Sequence, residues 1–319
     1  MTPKERFDLI KQNTEEILTE QALHLLLSKK VKPVVYCGYE PSGPIHLGHF
    51  VTLTKLMDLQ KAGFKVKILL ADLHAMLNKK GTEKEISKET KAWYKTIESI
   101  KIEAEIILGS SFQFNKEYQI DVMNLAQNST INRGLRSMQE IARDVKNATI
   151  SQLWYPLMQI ADIKHLKVDV ALGGLEQRKV HMMGKDMEKT LAHDFISIHT
   201  PLITSLKGPG EKMSSSIPGS NISIIDTESQ IKNAISKAYC PSKQVENNPL
   251  LQIVRYVILP HHNKLHISRD EKFGGNRIYM RYEDIQRDFA KGELHPADLK
   301  TALINHLELI ISPIRKNLK

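Results

Sequence analysis

Cysteine is scarce in this chain: its 319 residues hold two, Cys37 and Cys240, and neither has a second cysteine at CxxC spacing. That excludes a disulfide framework and a zinc knuckle, and leaves both thiols as core or near-core residues. Long apolar runs are missing too, since no window approaches the roughly 18 residues that a membrane-crossing helix needs. The opening stretch MTPKERFDLIKQNTEEI is charged and amphipathic, without the apolar centre and small-residue cleavage site of a secretion signal. A cytoplasmic protein with no membrane partner is expected. There is no internal repeat and no long low-complexity segment. What is present is a 41% hydrophobic complement, enough to bury the core of one large domain or two ordinary ones. The net charge of +9 favours a polyanionic partner, because each phosphate neutralised releases counterions.

Hydrophobic periodicity places the elements. Residues 33–38 (PVVYCG) read as a short buried strand, and 46–62 (HLGHFVTLTKLMDLQKA) as a helix closed by Gly63 at its C′ position. Residues 64–74 (FKVKILLADLH) read as a second strand, completing a βαβ unit of about 30 residues and requiring a parallel sheet. A charged helix at 83–99, a strand at 104–108 and three helical stretches over 116–166 follow. A strand at 168–172 (VDVAL) then turns at Gly173 and Gly174 into a helix near Glu176. The plan is α/β, a doubly wound Rossmann-like parallel sheet with a helical insertion at about 110–160, within a domain of residues 1–205. Residues 206–221 belong to a Gly-, Ser- and Pro-rich stretch read as an exposed mobile loop. A mostly α-helical domain covers 222–319 and begins with Thr227 and Gln230 spaced as a capping box.

Two segments carry chemistry. Gly38 to Gly48, after the first strand, hold three glycines and two prolines, a density that lets backbone approach a ligand. His46 and His49 share one face of the following helix start, where amide groups and the helix dipole favour a phosphate. Taken alone, the pair is equally a metal half-site or two surface residues. In the polar loop, Lys212, Met213, Ser214, Ser215 and Ser216 offer a cation and hydroxyl donors able to close over a pyrophosphate, although a solvated linker has the same composition.

Together, GYEPSGPIHLGH and KMSSS resemble the HxGH and KMSKS signatures of class I aminoacyl-tRNA synthetases. They stand in the family's order, about 160 residues apart, with serine where the second signature lysine is usual. The resemblance implies that His46, His49, Lys212, Ser214 and Ser215 act on ATP phosphates. It also implies that Gly38, Gly48, Met213 and Ser215 line the nucleotide, Gly48 leaving room for the adenine. ATP is then a substrate accompanied by Mg2+, and no dedicated protein metal site is expected.

A second pattern concerns the amino acid. Tyr155, Gln159 and Asp162, at i, i+4 and i+7, form a polar stripe among Leu153, Leu157, Ile160 and Ile163. Such a stripe needs partners, either a neighbouring helix or a ligand. With Tyr36 ahead and Gln177 behind, it resembles the pocket of the archaeal and eukaryotic tyrosyl branch. By that resemblance Tyr36 and Asp162 bind the phenolic hydroxyl of L-tyrosine, and Tyr155, Gln159 and Gln177 its α-amino group. Glu40, His74 and Ala71 complete the pocket. The expected reaction is formation of tyrosyl-adenylate with release of pyrophosphate, then transfer to the 3′-terminal adenosine of tRNA(Tyr). A tryptophanyl enzyme is the rival, because it shares the fold and both signatures.

For the nucleic acid, Arg133, Arg136, Arg143 and Lys146 follow residue 131, and Arg178 with Lys179 follows Gln177. A charge run on a helix is often only a solvated face. The resemblance assigns Arg136, Arg178 and Lys179 to the first base pair of the acceptor stem. In the helical domain, EKFGGN (271–276) and GELHPADLK (292–300) resemble segments that read the anticodon, with Phe273 stacking on a base and His295 and Asp298 bonding base edges. By residue type alone, Phe273 is equally a core residue and HPAD a helix start with proline at N1. His261 and His262 lack a third ligand at usable spacing. The family dimerises through the helical insertion, which implies a homodimer.

Overall fold

The computed structural model describes residues 1–141 and 147–318. They fall into two compact units: Met1–Ser42, Lys55–Tyr94 and Lys101–Pro201 form the first, and Gly43–Thr54, Lys95–Ile100 and Leu202–Lys319 the second. The first is built on a six-stranded sheet of β1 (Glu16–Leu18), β2 (Val34–Tyr39), β3 (Lys65–Leu70), β4 (Ala104–Leu108), β5 (Val170–Gly174) and β6 (Ile196–Thr200). The spatial order is β1-β6-β5-β2-β3-β4. Neighbours run parallel except β1, which pairs antiparallel with β6 and makes the sheet mixed. From β2 the chain steps outward to β3 and β4, then returns to the other flank of β2 for β5 and β6. The reversal between β2 and β5 opens a crevice at the carboxyl ends of the strands, where doubly wound folds bind ligands. Both β5 and β6 are buried along their whole length, as a sheet covered on two faces requires.

The helix Leu47–Lys61 links β2 to β3 and stops as its sequence predicts. Gly63 takes φ 90°, the Phe64 N–H donates to the Leu59 carbonyl (3.0 Å), and the Gly63 N–H donates to that of Gln60 (2.8 Å). Elsewhere the structure corrects the sequence reading. The strand expected over 64–74 ends at Leu70, because its neighbours β2 and β4 end opposite it at Tyr39 and Leu108 and leave no further backbone to pair with. The chain turns instead into the helix Asp72–Leu77, which makes His74 a helical residue. The strand expected at 168–172 is shifted to Val170–Gly174. Val168 still bonds back to Ile163, while Gly173 and Gly174 pair with His199 and Thr200 inside the sheet and do not form the turn. The short strands β1 and β6 were not anticipated.

The long polar stripe lies on the helix Ile150–His165, which opens with a capping box between Thr149 and Gln152. Pro156 is therefore inside the helix and leaves the Gln152 carbonyl without its helical donor. Helices Lys116–Gln127 and Ile131–Ser137 precede it. Arg143 and Lys146 lie outside the described residues. Cys37 is buried and Cys240 half-buried, and neither forms a disulfide.

The second unit is mainly helical. Glu228–Lys237 starts with the expected capping box of Thr227 and Gln230, and Pro296–Asn317 buries Leu299, Leu303, Leu307, Ile310 and Ile314 at helical spacing. A hairpin of β7 (Leu265–Ile267) and β8 (Arg277–Tyr279) completes it. Among the described residues, no helix is long and apolar enough to cross a membrane.

Candidate functional site

A cleft opens in the first unit, lined by Tyr36, Gly38, Glu40, Leu69, Ala71, His74, Tyr155, Gln159, Asp162 and Gln177. Each comes from just where the fold directs it: the ends of β2 and β3, the helix after β3, the turn after β5, and one face of Ile150–His165. All seven residues proposed for the amino acid therefore converge on one cavity.

Asp162 dominates its chemistry. The residue is wholly buried, yet only one carboxylate oxygen is satisfied: Oδ1 accepts from Gln113 Nε2 at 2.7 Å and lies 2.8 Å from the Tyr118 hydroxyl. That hydroxyl has one proton to serve both Oδ1 and the Met158 carbonyl at 2.9 Å. Among the described residues Oδ2 has no hydrogen-bond partner, and His74 Nε2, 3.6 Å away, has none either. Burial raises the Asp162 pKa to about 7 against the pull of the Gln113 and Tyr118 bonds. Burial lowers that of His74 to about 3, so this ring stays neutral. Tyr36, 2% exposed, has its pKa raised well above normal by burial and then by the Asp162 charge, and remains a hydroxyl donor. A buried acceptor and a buried donor left unpaired beside a phenol cost roughly 1–3 kcal/mol each unless a ligand completes them. A second phenolic hydroxyl would answer that need at the carboxylate, by donating to Asp162 Oδ2 beside the Tyr36 hydroxyl.

At the other side of the pocket, Gln159 Nε2 donates to Gln177 Oε1 (3.1 Å), leaving Gln159 Oε1 buried, without a partner among the described residues and able to accept from an ammonium group. Gly173 makes this arrangement possible, for a Cβ there would sit 2.7 Å from Gln177 Cγ. Glu40 is held by Asn78 Nδ2 (3.1 and 3.2 Å) and by Lys80 (3.4 Å), and Tyr155 packs edge-on to His74.

Gln113 and Tyr118 were not singled out from the sequence. A signal existed, since Gln113 follows the end of β4 at the sheet edge where ligands bind. Its backbone folds back on Gly109, where a Cβ would lie 2.7 Å from Gln113 Oε1.

The two signature segments meet within the second unit. His46 bridges Ser223, the Leu47 N–H donates to Ile222, and the Ile224 N–H donates to Ile45. Gly43, at φ 73°, lies so close to Ser215 that a Cβ would stand 3.3 Å from it. The rings of His46 and His49 stack with centroids 3.9 Å apart. Their tautomers follow from their bonds: His46 Nδ1 accepts from the Gly48 N–H (3.1 Å) and His49 Nδ1 from the His46 N–H (3.3 Å), so each neutral ring carries its proton on Nε2. Burial, then the nearby Lys212 charge, lowers the His46 pKa to about 4. Two neutral N–H donors side by side suit phosphate oxygens. Gly48 is demanded first by His46 itself, because a Cβ would stand 2.8 Å from that ring. The first helical amides are less available than the sequence suggested, since Leu47 and Gly48 already use theirs on Ile222 and His46.

The 206–221 loop also differs from expectation, being anchored through buried residues. Met213 is buried and its N–H donates to Ile203. The Ser214 carbonyl accepts from Ser220 Oγ (2.6 Å) and Asn221 Nδ2 (2.7 Å), while Lys212 and Ser215 stay exposed.

Of the nucleic-acid candidates, Arg136 is exposed, Arg178 binds Glu16, and Lys179 binds Gln139 and Glu140. Phe273 is 62% exposed, which removes the core reading, and Lys272 lies over its ring. His295 caps the helix Pro296–Asn317 through the Ala297 N–H, and Asp298 pairs with Arg269. His261 bonds the Val257 carbonyl, and His262 bonds His306.

A doubly wound sheet in one unit and, in the other, an HxGH helix start beside a KMSSS loop are features of a class I synthetase. A family model described as "tRNA synthetases class I (W and Y)" matches residues 28–312. The chain belongs to that family. It is 44% identical over 318 residues to a tyrosine–tRNA ligase of Archaeoglobus fulgidus, covering 98% of both chains. To that of Methanospirillum hungatei it is 47% identical over 310 residues, 97% of both. The crystal structure of the Archaeoglobus fulgidus tyrosyl-tRNA synthetase complexed with L-tyrosine superposes with a TM-score of 0.95, at 44% identity, over 99% of this chain and 100% of that one.

Proposed function

We infer that this chain is a tyrosine–tRNA ligase: it joins L-tyrosine to ATP as tyrosyl-adenylate, releases pyrophosphate, and transfers the tyrosyl group to the 3′-terminal adenosine of tRNA(Tyr). The observation that carries the substrate choice is the unpaired Asp162 Oδ2 beside Tyr36 in a polar cleft. Phenylalanine would leave that carboxylate unpaired, and rejection of phenylalanine by tyrosyl-tRNA synthetase is the standard worked case of this effect. An indole of tryptophan presents one N–H and no acceptor for the Tyr36 hydroxyl.

The tyrosine carboxylate is ionised at neutral pH and attacks the α-phosphate of ATP in line, so no general base is needed. Positioning and charge neutralisation supply the rate. His46 and His49 Nε2–H groups, Lys212, the hydroxyls of Ser214 and Ser215 and loop amides bind the phosphates, with Gly38, Gly48 and Met213 against the nucleotide. ATP would bring Mg2+ with it, which would supply further neutralisation of phosphate charge, and no dedicated protein site is assigned to the ion. Tyr36 and Asp162 read the phenol, Tyr155, Gln159 and Gln177 hold the α-amino group, and Glu40 and His74 shape the wall.

Residues 1–205 serve as catalytic domain, 206–221 as the loop that closes on ATP, and 222–319 as the anticodon-binding domain. Arg136, Arg178 and Lys179 meet the acceptor stem, and Phe273, His295 and Asp298 the anticodon; the exposure of Phe273 supports a stacking role. The exposed apolar side chains of Phe114, Ile120, Met123, Ile131 and Ile150 on the helical insertion support a homodimer. The protein works in the cytoplasm, where tRNA is charged. ATP–pyrophosphate exchange with each of the twenty amino acids, then charging of purified tRNA, tests the reading. Tyrosine alone should support exchange; exchange with tryptophan and not tyrosine overturns it.

A further inference from the structure

Arg178 opens the helix Arg178–Asp186, directly after the pocket residue Gln177. Its Nε donates to both oxygens of Glu16, at 3.0 and 2.8 Å. Only Nε is used in this way. Among the described residues Nη1 and Nη2 have no hydrogen-bond partner, and the side chain is 44% exposed.

Glu16 is itself held from behind. It lies on the three-residue strand β1, whose register places it opposite His199 on β6. His199 Nδ1 lies 3.0 Å from Glu16 Oε2, and His199 Nε2 lies 3.0 Å from His181 Nδ1. The direction of these bonds is determined by their first member. A carboxylate only accepts, so His199 carries its proton on Nδ1; the neutral ring then accepts at Nε2, and His181 donates from Nδ1. Burial keeps both rings neutral, lowering the His199 pKa and placing that of His181 well below normal. Burial opposes ionisation of Glu16, but the bonds from Arg178 and His199 outweigh it and hold its carboxyl below the usual range.

A half-exposed ion pair adds little to stability, because solvent screens it. Two imidazoles buried to 0 and 1% exposure are a costly backing for so small a return. The arrangement makes sense as orientation: it fixes the Nε edge of one guanidinium and leaves its outer fork open. Such a fork suits bidentate recognition of a phosphate or a base edge.

We propose that Glu16, backed by His199 and His181, is a positioning residue for the transfer step, aiming the Nη fork of Arg178 at the acceptor end of the tRNA. This rests on the reading of Arg178 as a tRNA contact. Glu16 touches no substrate and acts through Arg178 alone.

The test compares full-length Glu16→Gln, Arg178→Ala and the double variant with the parent protein. Pyrophosphate exchange, the KM and kcat of tRNA charging, and the urea midpoint are measured for each. Arg178→Ala should lower kcat/KM for tRNA by about 10-fold or more, as expected for one lost charge-assisted contact. Glu16→Gln should lower it about 3- to 10-fold, mainly through KM, with exchange within about two-fold of the parent, and the double variant should be no worse than Arg178→Ala. If Arg178→Ala charges tRNA normally, the tRNA reading of Arg178 fails and the proposal falls with it. If Arg178→Ala is impaired while Glu16→Gln is not, or the two losses multiply, the proposal alone is overturned. A Glu16→Gln variant that loses exchange and charging equally would show a merely structural role.

Discussion

In the amino-acid pocket of the first unit, Asp162 is wholly buried and its partners are the side chains of Gln113 and Tyr118, whereas in the second unit Lys212 is exposed and its loop is tied down by backbone carbonyls and small hydroxyls. The pocket holds Asp162 Oδ2 and Gln159 Oε1 buried and, among the described residues, without hydrogen-bond partners. The signature segments present an exposed cation, Lys212, and two neutral imidazole donors, His46 and His49. Discrimination is therefore expected to depend on buried, fixed atoms, and rate on groups that tighten as charge develops. Variants in the first region should change which amino acid is used; variants in the second should change how fast.

The largest effect is expected from Asp162→Asn, which should reduce the tyrosine-to-phenylalanine ratio of kcat/KM by about 10³-fold or more. The same change should stabilise the free protein by roughly 1–3 kcal/mol, because it removes an incompletely paired buried charge. The folded pKa of about 7 lies above the ordinary 3.8, so Asp162 costs stability progressively as pH rises between those values and fully above them. The stabilisation, read from urea midpoints, should accordingly vanish near pH 4. An Asn variant that keeps its specificity would erase the contrast between the two regions. His49→Ala comes next, with single-turnover adenylate formation slowed by about 10²-fold and the Kd for tyrosine changed less than two-fold. Unchanged adenylate formation would remove His49 from the phosphate site.

How far the sequence disclosed these two regions differs as well. HLGH, KMSSS and the stripe Tyr155, Gln159 and Asp162 are local patterns; the stripe lies on one helix as its spacing indicated, whereas the KMSSS loop, read as mobile, is anchored at Met213 and Ser214. His74 was placed on a strand because ILLADLH is apolar enough to extend one, and only the ends of β2 and β4 show that pairing stops at Leu70. Gln113 and Tyr118 escaped notice because their importance depends on a residue more than forty positions away. The same holds for Glu16, whose strand is three residues long and whose partners lie beyond residue 177. Gly48 shows the opposite limit: its motif was recognised, but the collision with the His46 ring appears only in three dimensions.

Smaller effects sharpen the comparison further. Gln113→Leu or Tyr118→Phe removes a bond that lowers the Asp162 pKa, so tyrosine affinity at pH 7 should fall about 10-fold and recover toward pH 9. A loss that persists at every pH would mean that these residues act on shape and not on charge. The smallest expected signal is proton release. Asp162 is near half-ionised at pH 7 and a phenol favours its charged form, so calorimetry in buffers of different ionisation enthalpy should detect release of roughly half a proton per tyrosine bound. Proton uptake would reverse the assigned donor and acceptor.

The most direct test of the account is calorimetric titration of the free protein with tyrosine and with phenylalanine at pH 7. The geometry at Tyr36 and Asp162 predicts saturable tyrosine binding and phenylalanine binding weaker by about 10³-fold or more; comparable affinities would contradict it.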